Sequence, residues 1–208
     1  MAKLVQKSGY IKSGKASGYM RYIATREGVE KLAGNSAVTK GQRELIQKLL
    51  HDFPDAVELF EYEDYCKTPT LGMASTFITM ALDANLHEID SESGYMQYIA
   101  TRPRVQKRGT HGLFSSATAV DLASAMSELE AHEGNVWTII YSLRREDAAR
   151  LEFDNADAWR TLLMENAPTL AKSMKISLNN FHWYAAFHDE GHHPHIHMMV
   201  WSDDPKEG

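Results

Sequence analysis

The stretch FHWYAAFHDEGHHPHIHMMVW, residues 181–201, constrains the fold more than any other part of the chain. Apolar and aromatic residues run on both sides of Asp189-Glu190-Gly191, a pattern that predicts two strands joined by a turn, an antiparallel hairpin. From His188 onward it holds five of the ten histidines: His188, His192, His193, His195 and His197. Side chains of a strand alternate between its faces. His195 and His197 therefore share a face, about 7 Å apart along the strand. His193 joins them if the strand begins early enough. His188 ends the preceding strand and approaches from across the turn. Burying imidazoles in an apolar strand without partners is costly. Two histidines from one strand and a third from its neighbour form a three-nitrogen facial site that leaves positions open for water or substrate. His188, His195 and His197 are expected to hold one divalent metal ion, with His192 or His193 as alternatives to His188. Mn or Mg is the first expectation, and imidazole chemistry also admits Zn, Ni or Co.

A second feature is a repeat. SGYMRYIATREGVEK (17–31) and SGYMQYIATRPRVQK (93–107) agree at eleven of fifteen positions. Tyr19, Tyr22, Ile23 and Arg26 fall at i, i+3, i+4 and i+7, one face of a helix, with Ser17 as its cap and Gly28 as its stop. Tyr95, Tyr98, Ile99 and Arg102 copy that face. Pro103 disfavours helix at Arg102, so the second copy is expected to stop there.

The formal net charge is -6, but it is unevenly spread. Residues 1–48 carry ten Lys/Arg against three Glu, and a second basic cluster follows at Arg102, Arg104, Lys107 and Arg108. Local field outweighs the total for a phosphate ligand, so Lys12, Lys15, Arg21, Arg102, Arg104 and Arg108 are candidates for nucleic-acid contact. Cys66 is the only cysteine, which excludes a disulfide framework. The first residues hold no apolar signal stretch, and a bacterial cytoplasmic location is expected.

Between these features the chain alternates elements. KLVQKSGYI and NVWTIIYSL read as strands. TKGQRELIQKLLHDF reads as a helix ended by Pro54, and TPTLGMASTFITMALDANL as one capped by Thr68 with Pro69 in its first turn. VELFEYEDY is ambiguous. AVDLASAMSELEAHEG, REDAARLEF and ADAWRTLLMENAPTLAKSMKI read as helices. One domain over residues 1–208 is expected, and the acidic, Gly-ended tail DDPKEG suits the start of a linker into a longer protein.

The motif HHPHIHMMV, with AFH upstream, resembles the third motif of the HUH endonucleases, named for histidine–hydrophobic–histidine. YIATREG after a first strand is similar to the nucleophile segment of mobilization relaxases. The repeats, HGLF and EGNVWTIIYSLRREDAARL resemble the MobP/MobL-type branch most, over nearly the whole chain. The resemblance implies an α/β (α+β) fold: a central antiparallel sheet of about five strands with helices packed on its faces. It implies metal binding by His188, His195 and His197 and a tyrosine nucleophile at Tyr22, with Tyr98 of the second copy as the other candidate. Arg26, one helical turn from Tyr22, is placed to favour its phenolate. The implied reaction nicks single-stranded DNA at a transfer origin and leaves the protein on the 5′ phosphate. Relaxosome accessory and coupling proteins are the implied further partners.

Two other readings compete. The same histidines resemble the histidine triad of nucleotide hydrolases and transferases, in which His195 attacks phosphate without metal. A non-enzymatic DNA-binding or metal-storage protein is the third. The histidine-triad scheme gives no role to the duplicated Tyr/Arg segment or the basic N-terminal third.

Overall fold

The computed structural model describes residues 4–10, 37–85, 92–101, 104–190 and 193–208. Backbone contacts group the chain into two units, Ser13–Asp90 and a second formed by Met1–Lys12 with Ser91–Gly208.

The described part of the first unit is helical. Helix α1 (Lys40–Asp52) starts at Thr39, whose hydroxyl accepts from the Gln42 N–H while the Gln42 side chain accepts from the Thr39 N–H. This capping box satisfies two N-terminal donors at once. Pro54 ends the helix as expected and opens a 3-10 turn, Pro54–Glu58. The ambiguous VELFEYEDY stretch resolves into that turn and helix α2 (Phe60–Lys67). Helix α3 (Leu71–Ala84) begins two residues later than the sequence suggests: Thr70, not Thr68, is its cap, accepting from the Met73 N–H. Thr68 is already committed, since its N–H closes α2 on the Asp64 carbonyl. Leu49, Ala56, Phe60, Phe77 and Ile78 are fully buried and form the interior of this unit.

The second unit is built on an antiparallel sheet in the order β1-β3-β5-β4-β2. Strands β1 (Leu4–Tyr10), β3 (Val136–Leu143), β4 (Phe181–His188) and β5 (His195–Ser202) are full length. Strand β2 (Leu113–Phe114) is a two-residue edge. The expected sheet of about five strands with packed helices is therefore present. Helices α4 (Glu92–Thr101), α5 (Leu122–Glu130), α6 (Arg145–Arg150) and α7 (Ala156–Ser173) complete the unit and bring the total to seven among the described residues. Helix α4 is the second copy of the repeat.

The register sorts the sheet into two faces. Phe181, Trp183, Ala185 and Phe187 of β4, Ile196, Met198 and Val200 of β5, and Ile139 and Leu143 of β3 meet Trp159, Leu163 and Ala171 of α7 in one core. Each large apolar side chain so buried stabilises the fold by roughly 1.5–3 kcal/mol. The other face carries His188 of β4, His195, His197, Met199 and Trp201 of β5, and Thr138, Ile140 and Ser142 of β3. Central strand β5 is buried along its whole length. Its histidines thus sit in the middle of the sheet, on the face opposite α7.

Candidate metal centre

His188 closes β4 and His195 opens β5, and the two are directly paired across the hairpin. His197 lies two residues on and faces Ala186, whose methyl group leaves room for the ring. The strand period and this register bring three imidazoles together. Ring centroids are 5.2 Å apart for His188–His195, 4.7 Å for His188–His197 and 5.1 Å for His195–His197. One ring nitrogen from each lies within 4.8 Å of the others, and all three residues are fully buried. Nitrogens on one tetrahedral zinc-like ion are about 3.4 Å apart, so binding draws the three rings together by up to about 1.4 Å, a movement that side-chain rotation can supply.

The second nitrogen of each ring decides whether the first can bind a cation. His188 Nε2 lies 2.8 Å from the Ile99 carbonyl oxygen, and His195 Nδ1 lies 2.9 Å from that of His193. A carbonyl only accepts, so these two nitrogens carry the protons and donate. In neutral imidazole the lone pair then belongs to His188 Nδ1 and to His195 Nε2. His197 Nδ1 lies 2.9 Å from the Tyr95 hydroxyl, and donation to that oxygen presents Nε2 in the same way. Outer hydrogen bonds of this kind orient metal-binding histidines and raise their basicity. The donor set fits a divalent cation: three neutral imidazoles, fixed and buried, leave the ion its full charge.

The turn between the strands is held by ions. Arg145 donates to the Asp189 carboxylate and the Glu190 carbonyl, both at 2.5 Å, and Arg104 pairs with Glu190 at 2.6 Å. Arg104 stands in the left-handed region, φ 68°. Its carbonyl accepts from Asp189 N–H, the Gln106 N–H donates to the Phe187 carbonyl, and Val105 bridges to His188. Next to Val105 the chain needs glycine: a Cβ on Gly112 would stand 2.1 Å from Val105 Cγ2. The Gly112 N–H also satisfies the Ala100 carbonyl at the end of α4.

Among the sequence candidates, His188, His195 and His197 converge. His193 does not join them: β5 begins at His195, and His193 contributes its carbonyl to His195 Nδ1. Arg104 and Arg108 are exposed, as a phosphate-binding surface requires, but each is engaged in an ion pair, with Glu190 and Asp157 respectively. Tyr98 lies on α4, half-buried. Tyr22, Arg26, Lys12, Lys15, Arg21, Arg102, His192 and the cap and stop at Ser17 and Gly28 lie outside the described residues. Burial raises the phenol of Tyr141, and burial with a hydrogen bond to Glu128 raises that of Tyr184, which keeps both protonated. Arg145, Gly112 and the outer role of Tyr95 went unread in the sequence. Only Tyr95 left a trace there, as a neighbour on the repeated helix face.

Among the described residues no helix is long and apolar enough to cross a membrane. Neither the curated proteins nor the solved structures provide a match. The model of the MobL relaxases matches residues 1–208, the whole sequence. That match sets aside the histidine-triad hydrolase with His195 as nucleophile and the storage protein, and makes the chain a DNA-nicking enzyme of the relaxase type. With buried histidines of a metal-binding pattern at its centre and a full-length family match, the chain belongs to the MobL relaxases.

Proposed function

We propose that this relaxase is a metal-dependent HUH-type nickase that cuts one DNA strand at a transfer origin through a 5′-phosphotyrosine intermediate. The observation that supports it best is the convergence of His188, His195 and His197, with the tautomers of His188 and His195 fixed by the Ile99 and His193 carbonyls. A divalent ion held there supplies positive charge that neutralises and orients the scissile phosphate. Convergence of three imidazoles supports a cation site over a lone histidine nucleophile.

Tyr22 is the proposed nucleophile. Its phenol oxygen bonds to phosphorus and loses its proton, while the 3′ oxygen departs and gains one. The ester keeps the bond energy, so attack by a 3′ hydroxyl reverses the step and rejoins a strand. A phenol with ordinary pKa near 10 is mostly protonated at neutral pH, and Arg26 favours the ionised form. Lys12, Lys15, Arg21, Arg102, Arg104 and Arg108 are proposed to hold the single strand, with the ion pairs of Arg104 and Arg108 exchanged for phosphate. Residues 1–208 are proposed to act as one relaxase domain in the bacterial cytoplasm, with relaxosome accessory and coupling proteins as partners.

Labelled single-stranded origin DNA with Mn²⁺ should give a denaturant-stable adduct whose DNA-linked peptide contains Tyr22. Tyr22→Phe should end adduct formation and leave DNA binding near normal, since it removes one oxygen and little packing. Tyr98→Phe should leave nicking within about tenfold, about 1.4 kcal/mol of barrier. An adduct on Tyr98 reverses the assignment of the two copies.

A further inference from the structure

The repeated segment presents the same tyrosines twice, and the described copy is built into the metal centre rather than set beside it. We propose that this second copy is the outer shell of the site, and that Tyr95 is a positioning residue that fixes His197 for metal binding. The inference rests on the metal reading of the triad given above.

Four contacts carry it. Tyr95 is fully buried, its hydroxyl is 2.9 Å from His197 Nδ1, and its ring stands edge-on to the imidazole at 75°. Four residues on, one helical turn along α4, the Ile99 carbonyl accepts from His188 Nε2 at 2.8 Å. The segment then leaves the helix, and Val105 bridges to His188. Arg104 receives the Asp189 N–H and pairs with Glu190. A single stretch, residues 95–105, therefore touches two of the three histidines and the turn that joins their strands.

The chemistry gives each contact a task. An imidazole that binds a cation through Nε2 carries its proton on Nδ1. On a fully buried ring that proton needs an acceptor in the protein, and for His197 the acceptor is the Tyr95 oxygen. The bond also fixes rotation of the ring about its Cβ–Cγ bond, which aims Nε2 at the ion. Ile99 does the same for His188 with a carbonyl that the end of the helix leaves over. The C-terminal end of α4 carries partial negative charge, which favours a cation beyond His188. Tyr95 is excluded as the nucleophile by the same geometry. Its oxygen sits on the Nδ1 side of His197, away from the ligating nitrogen and from any phosphate on the ion. Two tyrosines three residues apart in one motif thus differ in role: the first positions a ligand, and the second is the one whose counterpart, Tyr22, is proposed to attack.

The test is Tyr95→Phe in the full chain, read by Mn²⁺ calorimetry. Wild type should bind one ion. The variant should keep that stoichiometry with affinity lower by about 10- to 100-fold, the usual consequence of losing an outer-shell partner. In Co²⁺-loaded protein its visible absorption bands should shift, which a packing role would not cause. Introduced on top of His197→Asn, Tyr95→Phe should change metal affinity no further. A long-range ¹H–¹⁵N spectrum of Zn²⁺-loaded wild type decides without any variant: His197 protonated at Nδ1 supports the proposal, and protonation at Nε2 overturns it. Equal Mn²⁺ affinity in wild type and Tyr95→Phe overturns the role of Tyr95 and leaves the metal centre standing. Absence of Mn²⁺ binding by wild type overturns both.

Discussion

His197→Asn is the sharpest test of the triad because the geometry dictates which amide to use. Two alanines at His195 and His197 would open voids in the fully buried central strand. Large-to-small core changes cost about 2–5 kcal/mol each, which rivals the whole stability of a domain. Asparagine places its amide nitrogen where Nδ1 of the ring was, so the bond to the Tyr95 hydroxyl survives while the ligating Nε2 is lost. His195→Asn keeps the bond to the His193 carbonyl in the same way. For His188 the matching change is His188→Gln, which keeps the donor to Ile99 and deletes Nδ1. The magnitude follows from linkage. At an ion concentration 100 times the dissociation constant, wild type gains about 2.7 kcal/mol. At about 2–4 °C per kcal/mol for a chain of this size, the melting temperature rises by roughly 5–11 °C. Losing an outer-shell partner already costs about 10- to 100-fold in affinity, and losing a ligand costs more, so about 100-fold is a lower bound. The same concentration then yields at most about 0.4 kcal/mol, a shift of about 1 °C. The assay is thermal unfolding of each protein with and without Mn²⁺, read as the difference between the two melts. That difference cancels the cost of the smaller side chain. A variant whose metal-induced shift matches wild type would show that the ion, if bound, is not on this triad.

Three further outcomes are expected. Gly112→Ala should destabilise by about 1–3 kcal/mol, because its Cβ overlaps Val105 Cγ2; Val105→Ala in the same chain should relieve part of that loss, and strict additivity in chemical denaturation would refute the contact. Single-strand affinity should fall steeply with salt, and reversing Lys12, Lys15 and Arg21 should lower the slope by about two, at roughly 0.7 per phosphate contact; an unchanged slope would mean that this basic region is only a solubilising surface. Asp121 and Glu207 hold carboxyls below their usual range, chiefly through hydrogen bonds from Ser124 and Ser202. Their stabilisation is complete above the unfolded value near pH 4 and is lost as pH falls through the lowered folded values. Asp121→Asn, which still caps α5, should therefore flatten the fall of urea midpoints below pH 4, and an identical fall would remove Asp121 from the account.

What was legible in the sequence was what a short period encodes. Alternation fixed the shared face of His195 and His197, and the turn residues fixed the hairpin that pairs His188 with His195. Caps and apolar stripes placed the strands and helices, with an error at Thr68 because two threonines flank Pro69 and both suit a cap. The use of Thr68 to close α2 is visible only once α2 exists. Strand β2, at two residues, is shorter than any periodic signal.

The unread part consists of contacts between distant positions. Tyr95 reaches His197 across 102 residues, and Ile99 reaches His188 across 89. Arg104 meets Glu190 across 86, and Arg108 meets Asp157 across 49. A basic cluster read along the chain looks like unspent charge, yet folding supplies each of these two arginines with a carboxylate. The repeat shows the same limit most plainly. Eleven shared positions in fifteen argue for one helix face used twice. Whether a tyrosine on that face attacks a phosphate or holds a histidine depends on what the sheet brings opposite it. In the second copy the sheet brings His197 opposite Tyr95, and the phenol buried there is within hydrogen-bond reach of a ring nitrogen.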